Sequence, residues 1–203
     1  FSTQKIILGW IPCLETLQKA IDRNPETIKQ ICKIFFNMKF NEIKQRLEEP
    51  KRASRRIGPM FRNWIRNNFE ILDPNNFEKS TDFTFLDGSD KTLKRYAAEN
   101  LKCTFPELTK GLDFVARYRR QFIISTAKFI TRRGGSQSNQ FYEALRLIKE
   151  TVSPSNVLRI AVVAGIAWLD HTMLKRLKTI GQNEYALSGL LLKQFINEVL
   201  KTK

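Results

Sequence analysis

Metal-ligating and nucleophilic side chains are scarce in this 203-residue chain: it has one histidine, His171, and three cysteines, Cys13, Cys32 and Cys103. No two cysteines stand at metal-ligand spacing and a lone histidine cannot build a zinc site, which excludes the usual zinc chemistry. An odd cysteine count, with no Asn-x-Ser/Thr sequon, argues against secretion and for an intracellular setting, cytoplasm or virion interior. There is no Gly-x-x-x-x-Gly-Lys-Ser/Thr loop and no Gly-x-Ser-x-Gly elbow, so nucleotide-triphosphate and serine-hydrolase chemistry have no local signature. The longest apolar run, Ile160 to Leu169, is closed by Arg159 and Asp170. At half of the roughly 20 residues a spanning helix needs, it predicts no transmembrane segment. Phe1 to Trp10 lack the cleavage pattern of a secretory signal.

Positive charge is abundant. Thirty-five Lys and Arg against 20 Asp and Glu give a net charge of +15, more than solubility requires. Such an excess calls for a polyanion: nucleic acid, an anionic membrane surface or an acidic protein. With 42% hydrophobic residues the chain can bury its own core.

Helical signals dominate. Pro12, Leu14, Leu17, Ala20 and Ile21 start one helix, and Ile28, Ile31, Ile34, Phe35 and Met38 line a second up to a break at Glu49-Pro50. Between Pro50 and Asp90 lie an Ile57-Gly58-Pro59 break and turn signals around Phe83-Thr84-Phe85, read as loop with one small hairpin. Asp90 is placed to cap a helix over 91–103. Asp113 to Arg133 reads as the most regular helix, stopped by Gly134-Gly135. After Ser136 to Asn139 come a helix over 140–150, a core helix over 157–169 and a last helix over 184–201. The expected fold is mainly α and two-lobed, with at most a small β-hairpin. Its expected parts are 1–50, an N-terminal helical lobe or arm; 51–90, a basic loop-rich connector; and 91–203, a C-terminal helical lobe.

Two basic clusters are the candidate nucleic-acid contacts. On a helical wheel Arg117, Arg120, Lys128 and Arg132 fall within about 120° opposite an apolar arc. No acid separates Asp113 from Glu143, so a bound row of phosphates would relieve the repulsion along that face. The second cluster is Lys51, Arg52, Arg55, Arg56, Arg62 and Arg66, with Phe61 and Trp64 interleaved as stacking platforms or core. Lys94, Arg95 and Arg133 complete the expected contacts. Asp170-His171 reads as structural, and no cofactor is expected. A metal-dependent nuclease would have to assemble distant Asp and Glu residues, and nothing local in the sequence marks such a site.

The stretch Asp90-Lys91-Thr92-Leu93-Lys94-Arg95 resembles a short Asp-x-Thr-apolar-x-Arg element of the nucleoproteins of orthobunyaviruses and tospoviruses. That resemblance implies a basic, helical, two-lobed protein holding single-stranded RNA in a cleft, self-associating through its ends, with Arg95 an RNA contact. The sequence reading is therefore a non-enzymatic RNA-binding structural protein, a nucleocapsid-like homo-oligomer. The alternative is a helical module docking on an acidic protein or anionic membrane surface.

Overall fold

The computed structural model of the chain describes residues 18, 21–22, 25–48, 53–107, 109–131, 134–177 and 180–200. Residues 18 and 21–22 are helical, and after them, among the described residues, come α1 (Pro25–Phe36), α2 (Phe40–Glu48) and α3 (Ala53–Asn68). Then strands and helices alternate: β1 (Glu70–Leu72), α4 (Pro74–Lys79), β2 (Thr84–Leu86), α5 (Asp90–Glu99), β3 (Phe114–Tyr118), β4 (Gln121–Ile130), α6 (Gly135–Glu150) and β5 (Val157–Gly165). A 3-10 turn leads to α7 (His171–Leu177) and β6 (Glu184–Leu187). A second 3-10 turn and α8 (Leu192–Phe195) run into a π-turn at Ile196–Leu200.

The six strands form one mixed sheet in sequence order, in which β3 is antiparallel to β2 and β4 and the other neighbours are parallel. This α/β architecture overturns the expected mainly helical, two-lobed fold. The decisive misreading is Asp113 to Arg133, which is not a helix but the β3–β4 hairpin. Its strands are joined by a two-residue turn at Arg119-Arg120, with Arg119 at φ 54°. Along β4 the side chains alternate. Phe122, Ile124 and Ile130 meet one core, and Ile123 and Ala127 meet the other. Both faces are covered, so the period of two that marks a half-exposed strand is hidden, and a wheel finds a false stripe. The expected core helix over 157–169 is strand β5 for the same reason. Its Val and Ile are buried on both sides, and its β-branched content is what distinguishes it from a helix.

Two layers enclose the sheet. On one face α4, α5, α6 and α7 bury Phe77, Leu93, Tyr96, Phe141, Leu145 and Ile148 against Val115, Ile124, Ala161 and Val163. On the other, Phe61, Trp64 and Ile65 of α3 and Leu192 and Ile196 of the C-terminal turns cover Phe85, Phe114, Ile123, Ile160 and Val162. Helix α3 runs through Gly58-Pro59, where a break was expected. Proline forfeits one backbone bond there, and the helix is held by its apolar side. The expected 184–201 helix is β6 and short turns: Glu184 to Leu187 pair with Arg159 to Val162 as the outermost strand.

Candidate active site

Register determines which residues share an end of the sheet. Thr84 pairs with Arg117 and Phe114 with Ser125, so β2 ends, β3 begins and the last third of β4 projects at one rim. The parallel strands β4 and β5 also finish there, at Ile130 and Gly165. The rim at the carboxyl ends of parallel strands is where α/β sheets hold ligands.

Four segments deliver chemistry to this rim. Asp113 stands just before β3, where its amide donates to Ser125 O at 2.9 Å. Its Oδ2 accepts the Ala127 amide at 2.7 Å and the Thr126 hydroxyl at 3.2 Å, and among the described residues its Oδ1 takes no hydrogen bond. Burial pushes the Asp113 carboxyl above the ordinary carboxylate range, and the negative charge of Asp90 adds to that push. The Ala127 amide, the Lys128 charge and the Thr126 hydroxyl pull the other way. Thr126 and Lys128 are two apart on β4 and so project to the same face. Lys128 Nζ lies 3.6 Å from Glu143 Oε2 of α6.

Asp90 reaches the same place from α5. The expectation that its carboxylate caps that helix is corrected. Ser89 is the cap, its hydroxyl accepting the Thr92 amide, and Asp90 is the first helical residue with its carboxylate turned elsewhere. Its backbone oxygen accepts the Leu112 amide at 3.0 Å. A β-carbon on Gly111 would stand 2.5 Å from Asp90 Cβ, so only glycine permits this approach. The carboxylate is paired with the Arg62 guanidinium. Gly134-Gly135, expected to stop a helix, instead follow a strand and open α6 with positive φ at both.

The expected nucleic-acid contacts divide. Lys128 lies in the rim site. Arg120 sits eight residues away along β4, roughly 26 Å at a strand's rise of about 3.3 Å per residue. Arg117, on β3 near that opposite end, is occupied: it donates to Phe77 O at 3.0 Å, to Glu78 O and to Arg119 O, and stacks 5.4 Å from the centre of the Phe122 ring. The continuous track drawn on the helical wheel therefore does not form. A cavity of about 420 Å³ at the hairpin end is lined by Tyr96, Asn100, Arg117 and Phe122. There burial and Glu78 push the Tyr96 hydroxyl up to about 12. Lys94 donates to Thr109 O at 2.5 Å, and Arg95 is exposed on α5. Arg66 pairs with Asp87 at 3.7 Å. Lys51, Arg52, Arg132 and Arg133 lie outside the described residues, as do the side chains of Arg55 and Arg56. Sequence reasoning missed Asp113, Asp90 and Glu143 as site residues. The available signal was the acid-free run that Asp113 and Glu143 bracket.

A partly buried carboxylate, a facing lysine and further carboxylates on the flanking helices, at the open rim of a mixed sheet, suit phosphodiester hydrolysis, the chemistry of a nuclease. The chain belongs to the Tsp45I type II restriction enzyme family, whose family model matches residues 5–199. No curated protein and no solved structure matches it. No nucleoprotein family matches, so the resemblance carried by Asp90 to Arg95 does not extend to kinship. The expectation of a non-enzymatic RNA-coating, nucleocapsid-like protein is overturned: the family is one of DNA-cleaving enzymes, and its partner is nucleic acid. No helix among the described residues is long and apolar enough to cross a membrane.

Such hydrolysis commonly employs a divalent cation. Among the described residues no three His, Cys, Asp or Glu side chains converge as a metal-binding group. The donors nonetheless fit a hard cation such as Mg²⁺, which is usually held by one or two carboxylates with substrate phosphate and water completing its shell. Asp113, with Oδ1 unengaged by the described residues and its charge incompletely compensated, and Asp90 are the carboxylates that would hold it.

Proposed function

We propose that this chain hydrolyses phosphodiester bonds of double-stranded DNA at the Asp113–Lys128–Glu143 rim. The observation that carries the reading is the partly buried Asp113 carboxylate, fixed by the Ala127 amide on the strand that presents Lys128. In the reaction a water oxygen bonds to phosphorus and the bond from phosphorus to a deoxyribose oxygen breaks. The water loses a proton, the departing deoxyribose oxygen gains one, and one strand end carries the phosphate. The Lys128 ammonium faces the reacting phosphate and offsets the charge that gathers on its oxygens in the transition state. Glu143 holds that ammonium in place by their ion pair, and Asp113 and Asp90 would hold a divalent cation, which would supply activation of water and charge neutralisation at the phosphate.

Arg62 and Arg66 of helix α3 reach the DNA backbone, and the acid-free sequence from Lys51 to Arg66 supports that role. Cutting both strands takes two sites and each chain builds one, so the working form is a pair of chains. The exposed Ile34, Phe36, Phe40 and Met60 of the first three helices are the apolar surface for that association.

Relaxation and linearisation of supercoiled plasmid in Mg²⁺ tests the reading. The wild-type chain should cut, and Lys128→Ala should lose about 10²–10³-fold in rate while still retaining DNA, the usual cost of one charge-stabilising donor. Cleavage unaffected by Lys128→Ala would move the chemistry elsewhere.

A further inference from the structure

Arg62 belongs to the layer opposite Lys128 and Glu143. Its neighbours Phe61, Trp64 and Ile65 pack against Phe85, Phe114 and Leu158, while Lys128 faces α6 across the sheet. Its guanidinium nonetheless reaches over the rim and pairs with Asp90, and one turn later Arg66 pairs with Asp87. Two cations of α3, four residues apart, thus hold two acids of the β2–α5 connection. The Asp90 backbone is clamped to Leu112, one residue before Asp113, so Arg62 places a positive charge beside the carboxylates that would receive a divalent cation.

Both members of the pair are half-exposed, with side chains 40% and 48% accessible. An ion pair this open to water is weakly held, and a DNA phosphate, which takes guanidinium in a bidentate grip, competes for it directly. The apolar packing of Phe61, Trp64 and Ile65 keeps α3 attached if Arg62 lets go. Resting on the nuclease reading of this rim, we propose that Arg62 is a DNA-exchanged counter-charge. Without DNA it sits on Asp90 and keeps the divalent cation out. With DNA it moves to a backbone phosphate and Asp90 becomes available, so cation loading follows substrate binding. Arg62 is in these terms a positioning residue acting through Asp90.

Manganese binding to the DNA-free protein tests this, with free Mn²⁺ followed by electron paramagnetic resonance. Arg62→Ala should bind one Mn²⁺ per chain about 10-fold more tightly than wild type, a coupling ordinary for charges in contact. Arg62→Lys should stay near wild type, and Asp90→Asn added to Arg62→Ala should cancel the gain. Arg62→Gln, which keeps more of the side-chain volume, should repeat the gain if the alanine variant is poorly folded by circular dichroism. In plasmid cleavage Arg62→Ala should half-saturate at lower Mn²⁺ yet reach a lower maximal rate, because its phosphate contact is gone. Equal Mn²⁺ affinity in Arg62→Ala, Arg62→Gln and wild type overturns the exchange, as does an undiminished maximal rate. Adding Asp113→Asn separates the two layers of inference. If it abolishes Mn²⁺ binding while Arg62 variants change nothing, only the exchange fails, whereas Mn²⁺ binding and cleavage that both survive Asp113→Asn remove the site itself.

Discussion

Replacing Asp113 by Asn should destroy activity and stabilise the fold. Asparagine keeps the shape, and its side-chain oxygen still accepts the Ala127 amide and the Thr126 hydroxyl. What changes is charge. The wild-type carboxylate gains from Lys128 and from those two donors, but burial and Asp90 cost it more, since its pKa lies above the ordinary value. A carboxyl raised in the folded state favours folding when protonated and costs stability once pH rises through its folded value. Near pH 8, in chelator, Asp113→Asn should therefore be more stable by about 1 kcal/mol, the usual gain when a functional group is neutralised. That is about 2–4 °C in Tm for a chain of this size. The advantage should shrink as pH falls through the raised value, where Asp113 is itself neutral. Calorimetry or far-ultraviolet melts from pH 4 to pH 8 read this directly. In the Arg62→Ala background, where the counter-charge on Asp90 is gone, added Mg²⁺ should raise the Tm while Asp113 is present and leave it unmoved once Asp113→Asn is added. A variant less stable than wild type at pH 8, or a difference independent of pH, would refute the reasoning.

Three other substitutions probe separate links. Thr126→Val removes a hydrogen bond that favours the Asp113 carboxylate, so the acid limb of the pH–rate profile should shift upward, with little change at the alkaline end. Gly165, at φ +90°, ends β5 where a β-carbon would meet Ile130 O at 2.1 Å. Gly165→Ala should destabilise by more than the roughly 1–3 kcal/mol of a strained backbone alone, seen as a lower denaturation midpoint in urea. Arg159 and Glu184 bridge β5 and β6 at 3.2 Å with side chains only 15% and 12% exposed. Glu184→Gln leaves the guanidinium charge unbalanced and should cost about 3–5 kcal/mol by the same measurement, with melts still cooperative.

Much of what failed to be legible in the sequence has one physical source. Strands β4 and β5 lie in the middle of the sheet between two helical layers, so Ile123, Ile124, Ile160, Val162 and Val163 are all buried and no alternation survives. Where one face is open to water, helical spacing survives in the sequence, as in α5 and α6, whose Leu93, Tyr96, Ala97, Phe141, Ala144, Leu145 and Ile148 are buried. The turn residues Gly134-Gly135 were recognised as a boundary but assigned the wrong side of it, because a glycine pair after a strand and one after a helix look alike in isolation.

The site was half visible in the same way. The absence of acid between Asp113 and Glu143 was read as a cationic helix face because a helix places Arg117, Arg120 and Lys128 together. A hairpin followed by a returning helix does the opposite. It carries Arg120 to the far end of the sheet and brings the two bracketing acids back to Lys128, which pairs with Glu143 while the neighbouring Ala127 amide holds Asp113. On the proposed nuclease reading Lys128, at the end of that run, is the ammonium turned to the phosphate, and the charge pattern then marks the functional segment. It belonged to a strand–strand–helix unit that folds its own ends together, and only the register of that unit could show that the acids, and not the arginines, meet at the lysine.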